Sequence, residues 1–185
     1  DAAAIPFGFG PARHFLSKAN VSMGQRVLIY GASGAVGSAA VQLAKQLGAE
    51  VTGVCSTRNV ELVRSLGAHE VLDYTKDALL SHRDSFDVVF ETVGKLPFKD
   101  SLTLVKPQGT IITGSEMPAQ MLKRVLGGKG GKQVTVIGGT AAESAADMQL
   151  IADLWQRREI RPVIDSTFPL ERIRDAHTLA ESGKK

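Results

Sequence analysis

The chain predicts an α/β fold built on a doubly wound sheet of parallel strands. Two observations carry this: short apolar, β-branched runs alternate with helix-period segments along the chain, and one strand-to-helix crossover is punctuated by glycines. That crossover begins with the strand 27–30 (VLIY), which follows the turn-like Met23-Gly24-Gln25. Gly31, Gly34 and Gly37 come next, and Val36, Ala40, Val41, Leu43, Ala44 and Leu47 then repeat at steps of three and four, the stripe of an amphipathic helix. Each glycine has its own use. Gly31 lets the chain leave the strand at positive φ, Gly34 presents no Cβ to an approaching diphosphate, and Gly37 lets the helix lie close on the sheet. The N–H groups at the start of that helix would face the phosphates, so the unit predicts a dinucleotide site.

The remaining elements follow in order. A leading helix is expected over 5–20, irregular in its first half because of Pro6, Gly8, Gly10 and Pro11. After the glycine unit come strand two over Glu50–Cys55, a helix over 59–66 ended by Gly67, and a short third strand over 70–72. The fourth strand is Phe86–Glu91 (FDVVFE), and the fifth, 109–113 (GTIIT), follows a Pro107-Gln108-Gly109 turn. A Gly/Lys loop at 129–132 precedes the sixth strand, 133–137 (QVTVI). Six strands in this rhythm match the two mononucleotide halves of a Rossmann sheet with order 3-2-1-4-5-6. A long amphipathic helix over 143–158 turns Met148, Ile151, Ala152, Leu154 and Trp155 inward, and the tail holds an extended run, 162–168, then a helix from near Pro169. The expected division is a nucleotide-binding domain over 1–158 and a C-terminal extension over 159–185.

Composition narrows the function classes. Hydrophobic residues make up 43% of the 185, enough for a substantial core. The net charge of +3 is spread over scattered Lys and Arg, which does not suggest a nucleic-acid partner. The single cysteine, Cys55, rules out an internal disulfide framework and fits a reducing, cytoplasmic location. It is expected to be a small core residue. No apolar run reaches the length of a membrane span, so no membrane partner is expected. The chain starts at Asp1 without Met, and an upstream segment is expected.

Coenzyme choice is read at the end of strand two. A site for NAD usually places an acid there to bind the adenosine ribose hydroxyls. Here the chain reads Cys55-Ser56-Thr57-Arg58-Asn59, with no acid. Two hydroxyls and a guanidinium suit a 2′-phosphate, which favours NADP(H) over NAD(H). Ser56 or Thr57 could equally cap the following helix, and the two roles are compatible.

Several longer stretches together resemble the medium-chain dehydrogenases/reductases, and most closely their zinc-independent quinone oxidoreductase branch. They are the run from Val27 to Gly37, Leu66-Gly67-Ala68-His69-Glu70-Val71-Leu72-Asp73-Tyr74, Phe86-Asp87-Val88-Val89-Phe90-Glu91-Thr92-Val93-Gly94, and Lys106-Pro107-Gln108-Gly109-Thr110. The resemblance implies the coenzyme half of a two-domain enzyme, inactive by itself, whose GroES-like catalytic domain lies mainly upstream and whose closing strand lies downstream. It implies that Gly34, Ala35 and Val36 meet the pyrophosphate, in a coenzyme-binding turn that Gly31 and Gly37 complete. By the same likeness Ser56, Thr57 and Arg58 meet the 2′-phosphate, Tyr74 the adenosine end, and Val93, Gly94, Gly114 and Ser115 border the ribose and nicotinamide. Tyr74 reads equally well as a half-buried strand-end aromatic. Asn59 departs from the Lys of several NADPH-dependent relatives, leaving Arg58 to supply the charge.

The same comparison bears on metal. Zinc-dependent relatives take a ligand from a Cys in the leading segment, where this chain reads Phe7-Gly8-Phe9. His14, His69, His82 and His177 form no ligand pair at helical or hairpin spacing, so no zinc is expected. Zinc-free relatives are similar to reductases that deliver hydride to a quinone, an enone or a related conjugated carbonyl. Other chemistries lack their residues. Neither Tyr30 nor Tyr74 is followed by Lys four positions on, Gly128-Lys129-Gly130 is not a phosphate loop, and Ser33 is not in a Gly-x-Ser-x-Gly turn. No catalytic acid or base is assigned. A non-catalytic nucleotide-sensing module is the alternative reading, and an adenosyl-methionine-binding fold a weaker one. The sixth strand would sit at a sheet edge with Val134, Val136 and Ile137 unguarded by Pro or charge, and with the resemblance this predicts a homodimer through 133–138.

Overall fold

In a computed structural model, which describes residues 2–114, 132–142 and 144–182, six parallel strands form one sheet in the order β3-β2-β1-β4-β5-β6. The strands are β1 (Arg26–Tyr30), β2 (Glu50–Cys55), β3 (Glu70–Asp73), β4 (Phe86–Glu91), β5 (Val105–Thr113) and β6 (Thr135–Ile137). The reversal between β1 and β4 is the switch point expected of a doubly wound sheet. Helices are α1 (Ile5–Lys18), α2 (Ala35–Gln46), α3 (Val60–Ser65), α4 (Phe98–Leu104), α5 (Ala145–Gln156) and α6 (Ile173–Glu181).

Alternation along the strands divides the core into two layers. Val27 and Ile29 of β1, with Val88 and Phe90 of β4, face a cluster formed with α1, α2, α3 and α5. Leu28, Val54, Val89 and Ile111 face the opposite layer, closed by Phe86 and by Leu104 of α4. Strands buried on both sides explain why β1, β2 and β4 read as near-continuous apolar runs.

Several elements depart from the sequence expectation. The helix α1 is continuous from Ile5 because Pro6 stands at its first turn, where an N–H has no intrahelical partner, and Gly8 fits against α2, while Pro11 inside it donates no N–H. A Cβ at Gly8 would lie 2.6 Å from the Ala35 carbonyl oxygen, so a larger residue would push the two helices apart. The helix expected over 59–66 is a 3-10 turn, Thr57–Asn59, followed by the shorter α3. Strand β5 begins at Val105 rather than at Gly109, and the Pro-Gln-Gly turn is a bulge within it. Phe86 pairs with Val105 and Val88 with Thr110, while Gln108 takes φ 63° and donates its N–H to the Gln133 carbonyl at 2.7 Å. The short helix α4 was not expected. Residues 129–131 of the Gly/Lys loop lie outside the described residues, and Lys132 pairs with Asp84. No helix among the described residues is long and apolar enough to cross a membrane.

The tail is tied to the sheet layer through α2. The Gln42 side chain, only 5% exposed, donates to the Arg161 carbonyl at 3.0 Å and accepts the Arg161 N–H at 2.8 Å. Ile160 beside it is buried. In contrast, α6 buries none of its residues, and Leu170 and Ile173 are exposed.

Candidate functional site

Parallel pairing brings the C-terminal ends of the strands to one edge. Tyr30 pairs with Val54 and Glu91, Cys55 with Asp73, and Glu91 with Thr113, so the turns at 31–34, 56–59, 74–77, 92–95 and 114 leave the sheet side by side. In open α/β sheets this edge, at the switch point, is where ligands bind.

The glycine turn is built as its residues require. Gly31 has φ 84°, and its N–H and that of Ala32 both donate to the Val54 carbonyl at 3.0 Å. A Cβ at Gly31 would lie 2.7 Å from both Thr92 Oγ1 and Val93 Cγ1, so the neighbouring loop presses on the turn. A Cβ at Gly37 would stand 2.1 Å from the Gly31 carbonyl oxygen, whereas one at Gly34 would meet nothing closer than 3.4 Å. Gly34 precedes α2 with extended backbone and has no side chain to cap the helix. The N–H groups of Ala35, Val36 and Gly37 therefore begin a helix without intrahelical acceptors, beside a position open to an incoming group. These residues fit a diphosphate.

At the end of β2 the structure separates the three hydroxyl and guanidinium residues by what they bind. The Thr57 hydroxyl donates to Asp73 Oδ2 at 2.5 Å, so its proton is committed within the protein. Asp73 also accepts the Thr75 N–H at 2.9 Å and the Thr75 hydroxyl at 2.7 Å on Oδ1. The Thr57 bond first, then those from Thr75 and the nearby Lys76 ammonium, outweigh burial and hold this carboxyl down at about 2. Ser56 has a different partner: its Oγ accepts from the Asn59 side-chain amide at 3.4 Å, and the same amide donates to Ser33 Oγ in the glycine turn at 3.0 Å. Arg58 is exposed on the same turn. Tyr74 is 55% exposed and faces Tyr30 with ring centroids 6.5 Å apart, while burial, then Tyr74 and Glu91, raise the Tyr30 phenol.

Beyond β4, Val93 and Gly94 are exposed and border the same edge, Gly94 at φ 73°. Gly114 follows β5 and donates its N–H to the Glu91 carbonyl at 3.2 Å. Ser115 lies outside the described residues. The side chain that organises this border, Glu91, was not singled out as a functional residue in the sequence. It is 3% exposed and accepts from the backbone N–H groups of Val93 at 3.0 Å, Gly94 at 2.8 Å and Lys95 at 3.2 Å. The signal available was an acid closing an apolar strand just before Thr-Val-Gly, since a buried carboxylate must find donors. Asp87, at the other end of β4, binds the Arg26 N–H at 2.8 Å and Lys106 Nζ at 2.8 Å. Burial pushes its carboxyl up, but Lys106 and Arg26 together prevail and hold it below the ordinary range.

The donor set for a metal is thin. Cys55 is buried, and burial, with Asp73 adding to it, pushes its thiol up to about 11, which keeps it neutral. His69 Nδ1 accepts the Val51 N–H at 3.0 Å. Among the described residues no group of three or more His, Cys, Asp or Glu side chains could hold a metal ion. The described side chains do not fit a zinc centre.

With this geometry in hand, comparison with known proteins gives consistent results. A family model described as zinc-binding dehydrogenase matches residues 66–185. The chain is 30% identical over 190 residues to the 2-methylene-furan-3-one reductase of Solanum lycopersicum, covering all of this chain and 44% of that protein. It is 29% identical over 188 residues to the chloroplastic NADPH-dependent alkenal/one oxidoreductase of Arabidopsis thaliana, covering 98% of this chain and 44% of that one. Among solved structures, the quinone oxidoreductase from Coxiella burnetii superposes with a TM-score of 0.87 at 29% identity, over 100% of this chain and 57% of that one. The chain thus spans less than half the length of these two curated relatives.

Proposed function

Because the chain belongs to the zinc-binding dehydrogenase family of medium-chain dehydrogenases/reductases, we propose that it is the coenzyme-binding portion of an oxidoreductase that passes hydride from NADP(H) to a quinone, an enone or a similar conjugated carbonyl. The observation that carries this reading is the turn from Gly31 to Gly37, with its uncapped helix start and the open position at Gly34, at the switch point of the sheet. When bound, the dihydronicotinamide supplies the hydride. The protein's part is to bind and orient. The N–H groups of Ala35, Val36 and Gly37 take the diphosphate, and Ser56 and Arg58 take the adenosine 2′-phosphate. Tyr74 lies along the adenosine end, and Val93, Gly94 and Gly114 wall the ribose and nicotinamide. Thr57 belongs with Asp73 instead, since its proton is already donated there.

NADP(H) is favoured over NAD(H) because no acid follows β2, and the carboxylate that closes β3, Asp73, already holds Thr57 and Thr75. We read the chemistry as zinc-independent, since Phe7-Gly8-Phe9 offers no thiolate and the described side chains assemble no ligand set. Residues 1–158 form the nucleotide-binding domain in this reading. Residues 159–185 lead to a surface for the rest of a longer protein, with the exposed Leu170 and Ile173 as its apolar contacts. A homodimer through 133–138 would cover the edge strand β6, and the single buried thiol suits a cytoplasmic, reducing setting. Calorimetric titration with NADPH and NADH tests the reading: NADPH should bind more tightly, and heat from neither coenzyme would overturn it.

A further inference from the structure

We propose that Asn59 selects a 2′-phosphorylated coenzyme by fixing which way two serine hydroxyls present their protons. This rests on the coenzyme reading above and adds to it the residue that discriminates. Asn59 closes the 3-10 turn after β2, and its side-chain Nδ2 reaches back to both Ser33 Oγ, at 3.0 Å, and Ser56 Oγ, at 3.4 Å. An amide nitrogen can only donate, so each serine oxygen is an acceptor in these contacts and keeps its own proton for another partner. Within the described structure neither serine hydroxyl donates to a protein atom. Both protons are therefore left for a group between the glycine turn and the end of β2.

The surroundings reinforce this polarity. The third hydroxyl of the region, Thr57, is spent on Asp73 Oδ2, and Asp73 Oδ1 receives both the N–H and the hydroxyl of Thr75. The buried carboxylate at the end of β3 is thus supplied with donors from the protein and offers little to a ribose hydroxyl. What remains at Ser33 and Ser56 is two hydroxyl donors. A phosphate dianion accepts from every side and gains from both, whereas a free 2′-hydroxyl, itself a donor, gains less. Asn59 achieves this without carrying charge. It acts through Ser33 and Ser56 and is a positioning residue.

The discriminating change is Asn59→Asp, nearly identical in shape, whose oxygens would accept the serine protons and withdraw them from the ligand. Binding is measured by calorimetry with NADPH and NADH, and with adenosine 2′,5′-bisphosphate and adenosine 5′-monophosphate as fragment probes. In N59D, affinity for NADPH and for the bisphosphate should fall about tenfold or more, with NADH and the monophosphate changing less than about threefold. The pair Ser33→Ala and Ser56→Ala should show the same selective loss, and adding N59D to it should cost little more. A wild-type preference for NADPH that persists in N59D overturns the role of Asn59 and leaves the coenzyme reading standing, as does a loss that simply adds to that of the serine variants. If the wild-type chain binds neither coenzyme, both fail. Should N59D not fold, the serine variants alone decide: an unchanged preference in them overturns the proposal.

Discussion

The Gly37 Cα faces the carbonyl oxygen of Gly31 so closely that a methyl group on it would lie 2.1 Å from that oxygen. The obstacle is backbone, not the end of a flexible side chain, so α2 or the turn must shift to accept it. Gly37→Ala should therefore destabilise the fold by about 1–3 kcal/mol, read as a lower denaturant midpoint at unchanged slope.

Gly34 makes the opposite case. Its Cβ would meet only the Gly31 oxygen at 3.4 Å, and its backbone suits any residue. Gly34→Ala should keep stability within about 1 kcal/mol of wild type yet weaken NADPH binding by about tenfold, because the methyl group enters the space left for the diphosphate. Equal affinity in the two proteins would move the diphosphate away from this turn.

Glu91 gathers three consecutive N–H groups onto one buried carboxylate. In Glu91→Gln the amide nitrogen turns a donor toward donors, at a cost of about 1–3 kcal/mol. Hydrogen exchange at Val93, Gly94 and Lys95 should speed up selectively while that of β1 and β4 stays slow. Uniform acceleration over the sheet would mean a general loss of stability.

Asp73 gives the acid response a testable sign. Its carboxyl is held at about 2 in the fold against an ordinary 3.8, so its contribution is complete above the ordinary value and is lost as pH falls toward 2. Asp87 and Asp147 are also lowered and decline in the same direction. The informative quantity is thus the difference between wild type and Asp73→Asn, which should shrink as pH falls from about 5 to about 2. A difference independent of pH would show that the charge of Asp73 is not what Thr57 and Thr75 stabilise.

At the sheet edge, Val136→Lys places a charge on the half-buried β6. If β6 meets its mate as proposed, light scattering should report a shift from dimer to monomer, and an unchanged mass would remove this strand from the contact.

The strands were the most legible part of the chain, for a physical reason. Strands β2 and β4 are buried on both faces between polar or glycine-bearing turns, so their apolar runs end where the strands end. Gly31 and Gly37 were legible too, since positive φ and a close backbone approach leave few alternatives to glycine. The helix α4 was not: it is short, begins directly after Pro97, and buries only Ser101 and Leu104, too little for a period to register. The contacts that distinguish one site residue from another were hidden as well. Thr57 meets Asp73, and Asn59 meets Ser33, across sequence gaps that only the pairing of β1, β2 and β3 closes.

Gln42 imitates a strand partner, offering the N–H and the C=O of one tail residue, Arg161, both an acceptor and a donor from a single side-chain amide. A proteolytic nick ahead of Arg161 would strand that amide inside the helix layer with two bonds unmade, so resistance to digestion should extend through Arg161 and fade beyond it. The seam between body and tail is thus stitched a few residues later than the end of α5 alone would suggest.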